Sequence, residues 1–184
     1  MKRSISLLLL IVCAHFSYAL NPKKNVYRYG DRGHFGTIKT SCVMWNPDPG
    51  YPYSECGVGL DLINGYAFNP YFMLGGGVGV DFKWGKPATG QKRDLMTFIP
   101  IYAHIRYNIL DRRITPFIAL NIGGAALADE DKVQWGGWSA EPLAGIAVRL
   151  KNGKSIDLIA SLHVQGGIFL GWDIGHKIGF SFTW

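Results

Sequence analysis

Leu95-Met96-Thr97-Phe98-Ile99-Pro100-Ile101-Tyr102-Ala103-His104-Ile105-Arg106-Tyr107-Asn108 is the stretch that decides the fold. Leu95, Thr97, Ile99, Ile101, Ala103, Ile105 and Tyr107 share one parity. Met96, Phe98, Pro100, Tyr102, His104, Arg106 and Asn108 share the other. In an extended chain successive side chains point to opposite faces, so a period of two marks a strand. One face here is oily along its whole length. The other becomes polar and charged.

The same pattern recurs outward from this stretch. In 155–168, Ile156, Leu158, Ala160, Leu162, Val164 and Ile168 oppose Asp157, Ser161, His163 and Gln165. In 173–184, Ile174, Ile178, Phe180, Phe182 and Trp184 oppose Asp173, Lys177, Ser181 and Thr183. Further strands are expected at about 33–45, 54–68, 71–83, 115–128 and 137–150, with weaker alternation where glycines fall. Turn-forming Gly, Pro, Asn and Asp fill the stretches between, as in Asn46-Pro47-Asp48-Pro49-Gly50 and Asn69-Pro70. Asn64-Gly65 is placed inside a strand, because a turn there would lie too close to Asn69-Pro70. The connectors near 69–70, 109–114 and 151–154 are short. Those near 46–53, 84–94 and 129–136 are longer. Short turns on one side and long loops on the other are the habit of membrane barrels.

Composition bounds the alternatives. The chain has 184 residues, 48% hydrophobic and 17% charged, too apolar for a disordered tail. Its 24 glycines lack a Gly-X-Y period, which excludes collagen. Asn121, His104 and Arg106 interrupt the later apolar runs, so no helix of about 20 residues spans a bilayer. The start reads as an address. Met1-Lys2-Arg3 is positive, 4–12 are apolar, and Ser17-Tyr18-Ala19 offers small residues for cleavage, so 1–19 is expected to be a secretory signal peptide. Cys13 invites a lipoprotein reading, against which Val12 is not small. Residues 20–32 form a basic lead-in, and 33–184 the barrel domain. Removing 19 of 184 residues leaves 165, and removing Lys2 and Arg3 lowers the charge from +6 to +4. A nucleic-acid partner is not expected for an exported chain. The surplus suits anionic lipid or lipopolysaccharide phosphates, and ordinary solubility and interfacial charge account for it more simply.

Which face is oily separates a membrane barrel from a soluble carrier, which hides its apolar face in a cavity. Aromatics gather at strand ends: Trp45, Tyr53, Phe82, Trp84, Trp138, Phe169 and Trp172 toward the long loops, Tyr66, Phe68, Phe72, Tyr107, Phe117, Phe182 and Trp184 toward the short turns. Two girdles flanking aliphatics match two membrane interfaces. The polar face is self-complementary: Asp61, Asp81, Glu141, Asp157 and Asp173 share it with Lys39, Lys83, Arg106, Arg149 and Lys177. Enclosed charges must be paired or hydrated. Arg149 and Asp157 flank one turn and are expected to pair. Gly75, Gly77 and Gly79 have inward parity, and Arg106 and Arg149 are candidates for the space they leave. The expected architecture is all-β: an eight-stranded antiparallel up-and-down transmembrane barrel with a mostly plugged lumen, in the outer membrane.

Residues 63–82, Ile-Asn-Gly-Tyr-Ala-Phe-Asn-Pro-Tyr-Phe-Met-Leu-Gly-Gly-Gly-Val-Gly-Val-Asp-Phe, resemble the second hairpin of small porin-like outer-membrane barrels common in Bacteroidetes. Ile99-Pro100-Ile101-Tyr102 and Thr115-Pro116-Phe117-Ile118 are similar to that family's middle strands. The resemblance implies location and fold, and supplies no catalytic residues. The final strand, ending Phe182-Thr183-Trp184, resembles the signal by which barrel-insertion machinery recognises its clients.

No enzyme is expected: the role is envelope structure, surface contact or passage of small solutes, and the alternatives are a lipid A-modifying enzyme or a soluble periplasmic carrier of apolar ligands. His104 and His163 share inward parity with Ser139, Ser161 and Glu141, a set from which a hydroxyl-activating relay is built. The competing reading makes them members of the lumen's hydrogen-bond network. No metal-ligand spacing is present, and Gly75-Gly76-Gly77-Val78-Gly79 lies in a strand and opens no helix, so no cofactor is expected. Cys42 and Cys56 lie seven residues either side of Pro49. A hairpin centred there places them opposite each other, and a disulfide is expected.

Overall fold

The computed structural model describes residues 32–46, 55–85, 94–128, 133–150, 153–167 and 171–184. The expected signal peptide and, apart from Arg32, the lead-in lie outside the described residues. So do the side chains at 45, 46, 55, 85, 94, 95, 167 and 171–173.

Eight strands follow in order: β1 (Gly33–Asn46), β2 (Glu55–Ala67), β3 (Phe72–Gly85), β4 (Asp94–Asn108), β5 (Ile114–Ala128), β6 (Val133–Arg149), β7 (Ser155–Gly167) and β8 (Gly171–Thr183). Each pairs antiparallel with the next, and β8 returns to β1, so the sheet is a closed barrel with no free edge. The register fixes its shape. Gly36 pairs with Asn64, then Gly76, Ala103, Ile122, Ala140, Val164 and Ile174, which pairs back onto Asn46, ten positions beyond Gly36. A stagger of ten over eight strands tilts each strand by roughly 40° from the barrel axis.

The strand face predicted to be oily is the outer wall. Ile101 and Phe180 are each 61% exposed, while Asp61 and Asp157 on the opposite parity are 1% and 0% exposed. A carrier with an apolar cavity has the reverse arrangement. Inside, two apolar clusters face each other: Phe35, Ile63, Ala67, Met73 and Tyr102 on β1–β4, and Phe117, Leu143, Ala147 and Ile159 on β5–β7.

Four expectations need correction or placement. β6 begins at Val133, not near 137, so the connector before it is 129–132. Gly136 is the extra residue of a bulge opposite Ala125 and Ala126, and Gly137 takes φ 112°, which a residue with a side chain rarely adopts. The bulge continues the strand through a Gly-Gly pair that reads as loop, and sets Trp135 on the outer wall. Asn64-Gly65 does lie within β2. Phe117 does not join the short-turn girdle: its parity is that of Thr115 and Asn121, and it is buried inside. The girdle there is Tyr66, Phe68, Phe72, Tyr107, Phe182 and Trp184 with Tyr71, ordered by ring contacts such as Tyr66–Phe68 at 5.3 Å and Phe182–Trp184 at 6.0 Å. Tyr53 and Phe169 lie outside the described residues, as do the side chains of Trp45 and Trp172.

The expected disulfide is absent. β1 pairs with β2 so that Cys42 faces Val58 and Cys56 faces Met44, and both thiols are free and exposed. The hairpin is centred one residue later than Pro49. That shift keeps both cysteines on the outer wall and makes them diagonal neighbours, beyond disulfide reach.

Candidate functional site: an ion-paired lumen

Eleven of the twelve predicted lumen residues, Lys39, Asp61, Asp81, Lys83, His104, Arg106, Glu141, Arg149, Asp157, His163 and Lys177, are buried inside the barrel. Asp173 has inward parity on β8, and its side chain lies outside the described residues. Among the described residues, three ion pairs bridge the interior. Each joins strands three positions apart in a ring where four is the full diameter.

The first lies toward the short turns. Arg106 on β4 donates through Nη1 to Asp157 Oδ2 on β7 (2.6 Å) and through Nε to Asn108 Oδ1 (2.9 Å), and its guanidinium covers the Phe117 ring at 3.7 Å. Asp157 also accepts from Ser155 Oγ (2.8 Å) and Ser181 Oγ (3.0 Å). The ion is thus paired, stacked and hydrogen-bonded, which a charge in a dry interior requires.

The second lies at mid-height. Lys39 Nζ on β1 donates to Glu141 Oε1 (3.0 Å) and Oε2 (3.1 Å) on β6. It also sits 3.1 Å from Asp61 Oδ2, a charge contact outside hydrogen-bonding geometry. Glu141 further accepts from Asn121 Nδ2 (3.0 Å) and Ser161 Oγ (2.6 Å). Because Asn121 gives its amide hydrogen to Glu141, its Oδ1 faces His104 Nδ1 (2.7 Å), which places the imidazole proton on Nδ1. Tyr102 Oη donates to Asp61 Oδ1 (2.9 Å).

The third lies toward the long loops, where Lys177 Nζ on β8 donates to Asp81 Oδ2 on β3 (2.7 Å). Near it Lys83 Nζ stands 3.9 Å from the Phe98 ring centroid. The other Asp81 oxygen and Ser41 Oγ have no hydrogen-bond partner among the described residues.

Two predicted pairings are redistributed. Asp157 is engaged by Arg106, while Arg149 reaches Asp111 Oδ1 (2.7 Å) and the Pro70 carbonyl (3.0 Å) at the short-turn mouth. The register explains this: Arg149 faces Ser155, and Asp157 lies opposite Ala147, further into the barrel. The space over Gly77 is filled by the Tyr102 ring, not by an arginine, and Asp61 lies over Gly79. A methyl group at Gly77 would collide with that ring.

Parity alone missed several partners. Asn121, Ser161, Ser181, Ser155 and Asn108 share the inward face and satisfy its charges. Their signal was an uncharged polar residue at inward parity beside a charged one on the next strand. Ser161 and His104 are not joined as a relay. Ser161 gives its hydrogen to Glu141, and His104 is turned to Asn121. A void of about 10 Å³ lies among Thr37, Lys39, His104, Arg106 and Ser181, room for about one water. Among the described residues no cluster of His, Cys, Asp and Glu is placed to hold a metal.

No family model matches the chain, and no curated protein matches it. Solved structures do. The barrel is similar to Neisserial surface protein A (NspA) with a TM-score of 0.66 at 11% identity, covering 83% of this chain and 97% of that one. The fold is that of small outer-membrane barrels. Two further similar structures are Ail, the attachment invasion locus protein of Yersinia pestis, in complex with the heparin analogue sucrose octasulfate, and the outer membrane enzyme PagL. Ail has a TM-score of 0.49 at 13% identity over 82% of this chain and 99% of that one. PagL has 0.42 at 16% over 79% and 97%. At these identities the likeness is one of fold.

Proposed function

We propose that the chain is an integral outer-membrane barrel with a closed lumen, non-enzymatic, acting through its outer surfaces in envelope structure or surface contact. The observation that carries this reading is the bridged interior. Arg106–Asp157 and Lys39–Glu141 cross the barrel at successive heights, the apolar clusters fill the walls beside them, and the gap between has room for about one water. Eight strands enclose just enough space for side chains to fill, whereas conducting pores use many more. The oily outer wall supports a membrane setting, as does the resemblance of 63–82 to the porin-like Bacteroidetes family. Export by the 1–19 signal and insertion through the strand ending at Trp184 belong to the same reading. Lipid A modification is disfavoured because the candidate hydroxyl and imidazoles lie inside the barrel, away from acyl chains.

Planar-bilayer recording of the refolded barrel tests the closed lumen, with heat-modifiable gel migration as proof of folding. The folded protein is expected to give no stable conductance steps. Steady channels from the folded form would overturn the reading.

A further inference from the structure

The net positive charge has an address. Inward charges cancel within the lumen. At the long-loop end, the connectors with Glu55 and Asp94 carry six carboxylates against four cations, Asp129-Glu130-Asp131 prominent among them. The surplus is divided between the lead-in, where Lys23, Lys24 and Arg28 stand against Asp31, and the short-turn end. At the short-turn end the sequence places Arg32, Arg112, Arg113, Lys151 and Lys154 against Asp111, and Asp111 is already held by Arg149.

The turn between β4 and β5 shows what this end meets. Arg112 and Arg113 are exposed, and they are flanked by Ile109, Leu110 and Ile114, themselves 48%, 40% and 60% exposed. The turn is short and rigid: Thr115 Oγ1 donates to the Leu110 carbonyl (2.6 Å), and Arg149 N to the Arg113 carbonyl (2.8 Å). It therefore holds its apolar side chains and its arginines at the barrel rim. Beside it Tyr71 and Tyr107 stack at 6.5 Å. Across the rim Lys154 Nζ lies 5.8 Å from the Phe182 ring. Aliphatics and aromatics beneath a row of cations match the boundary between acyl chains and headgroups, whereas in water the exposed isoleucines and leucine would be a cost.

We propose that the short-turn end is a docking collar for anionic phospholipid headgroups, with Arg112, Arg113 and Lys154 taking the phosphates. This rests on the membrane reading above. It also moves the expected anion contact away from lipopolysaccharide: the long loops of such barrels face outward and their short turns face the periplasm, so the cations meet the inner leaflet.

The test refolds the full barrel into phosphatidylcholine vesicles with and without phosphatidylglycerol. Folding is read by heat-modifiable migration, and lipid retained after detergent extraction by mass spectrometry. Wild type is expected to retain phosphatidylglycerol above its bulk fraction. Arg112→Gln/Arg113→Gln/Lys154→Gln is expected to lose roughly fivefold in affinity per charge removed, and high salt to act likewise. Lys86→Gln/Lys92→Gln/Arg93→Gln, in the connector between β3 and β4, is expected to keep the enrichment. If nothing folds into either vesicle, the membrane reading fails. If the barrel folds but shows no enrichment, or the triple variant retains it, the collar is overturned. Binding to peptidoglycan sacculi lost in the triple variant, without lipid enrichment, likewise overturns it and assigns the surface to the cell wall.

Discussion

The two halves of the lumen are built by different rules. Toward the short turns, Arg106 is enclosed by Phe117, Asn108 and Asp157, and Asp157 receives three donors. Apolar walls carrying Phe35, Met73, Leu143 and Ile159 stand around the pair. Toward the long loops, Lys177 meets Asp81 through one oxygen, the other oxygen has no partner among the described residues, and neither does Ser41 Oγ. Gly57 and Gly59 thin the wall beside them, with Asp81 and Ser41 leaning over Gly59. A dry interior tolerates no unpaired polar atom at low cost, whereas a hydrated one does. The contrast therefore assigns closure to the short-turn half and wetting to the long-loop half, with Asp61 Oδ2 at mid-height also lacking a hydrogen-bond partner among the described residues.

The largest expected effect breaks the dry half. Asp157→Ala strands the Arg106 guanidinium in an apolar enclosure and should cost about 3–5 kcal/mol of folding stability. Arg106→Met combined with Asp157→Leu should cost less than Asp157→Ala alone, since no buried charge is left unpaired. Urea titrations of the barrel in lipid vesicles measure both. A double variant as unstable as the single would mean that the ion pair holds the lumen by attraction rather than by mutual satisfaction.

The outer wall should follow depth in the membrane and ignore the difference between halves. Leu162→Arg, on β7 near mid-height, should cost about 2–4 kcal/mol, and Val133→Arg, at the long-loop end of β6, about 0–1 kcal/mol. Equal costs in the same titration would show that the apolar band does not sit in a bilayer at the assumed height.

How much of this was legible follows from which interactions are local. Alternation is written in consecutive residues, so Thr97 to Asn108 and Ile156 to Val164 revealed their faces without a partner strand. Register is not written there. It depends on how many residues each connector absorbs, and one residue in the first hairpin separates a Cys42–Cys56 pair from the diagonal observed. Cross-lumen pairing is further removed. Arg106 finds Asp157 three strands away because of a stagger summed over every hairpin, while the nearer candidate Arg149 is drawn to Asp111. Bulges hide in the same way, since Gly136-Gly137 carries a loop's composition inside β6.

The wet half supplies the next effect. Lys177→Met leaves Asp81 without its cation; in a hydrated half, water takes the cation's place at the carboxylate. The expected loss is about 1–3 kcal/mol, below that of Asp157→Ala. A loss equal to Asp157→Ala would show the long-loop half to be as dry as the other, and the comparison would collapse.

The smallest effect is the sharpest discriminator, because it uses one substitution in both halves. Ser181 and Ser41 are inward serines on adjacent strands, β8 and β1. Ser181 Oγ donates to the Asp157 carboxylate at 3.0 Å, one of its three donors with Arg106 and Ser155. Removing it deletes a hydrogen bond to an ion, so Ser181→Ala should cost about 1–2 kcal/mol. Ser41 Oγ has no partner among the described residues. If its surroundings are wet, Ser41→Ala trades a hydrated hydroxyl for a methyl group and should move stability by less than about 0.5 kcal/mol. If they are dry, the hydroxyl is an uncompensated buried group and its removal should stabilise the barrel by about 1 kcal/mol or more. The sign of the Ser41→Ala change, read against Ser181→Ala in one urea series, therefore reports whether water fills the long-loop half.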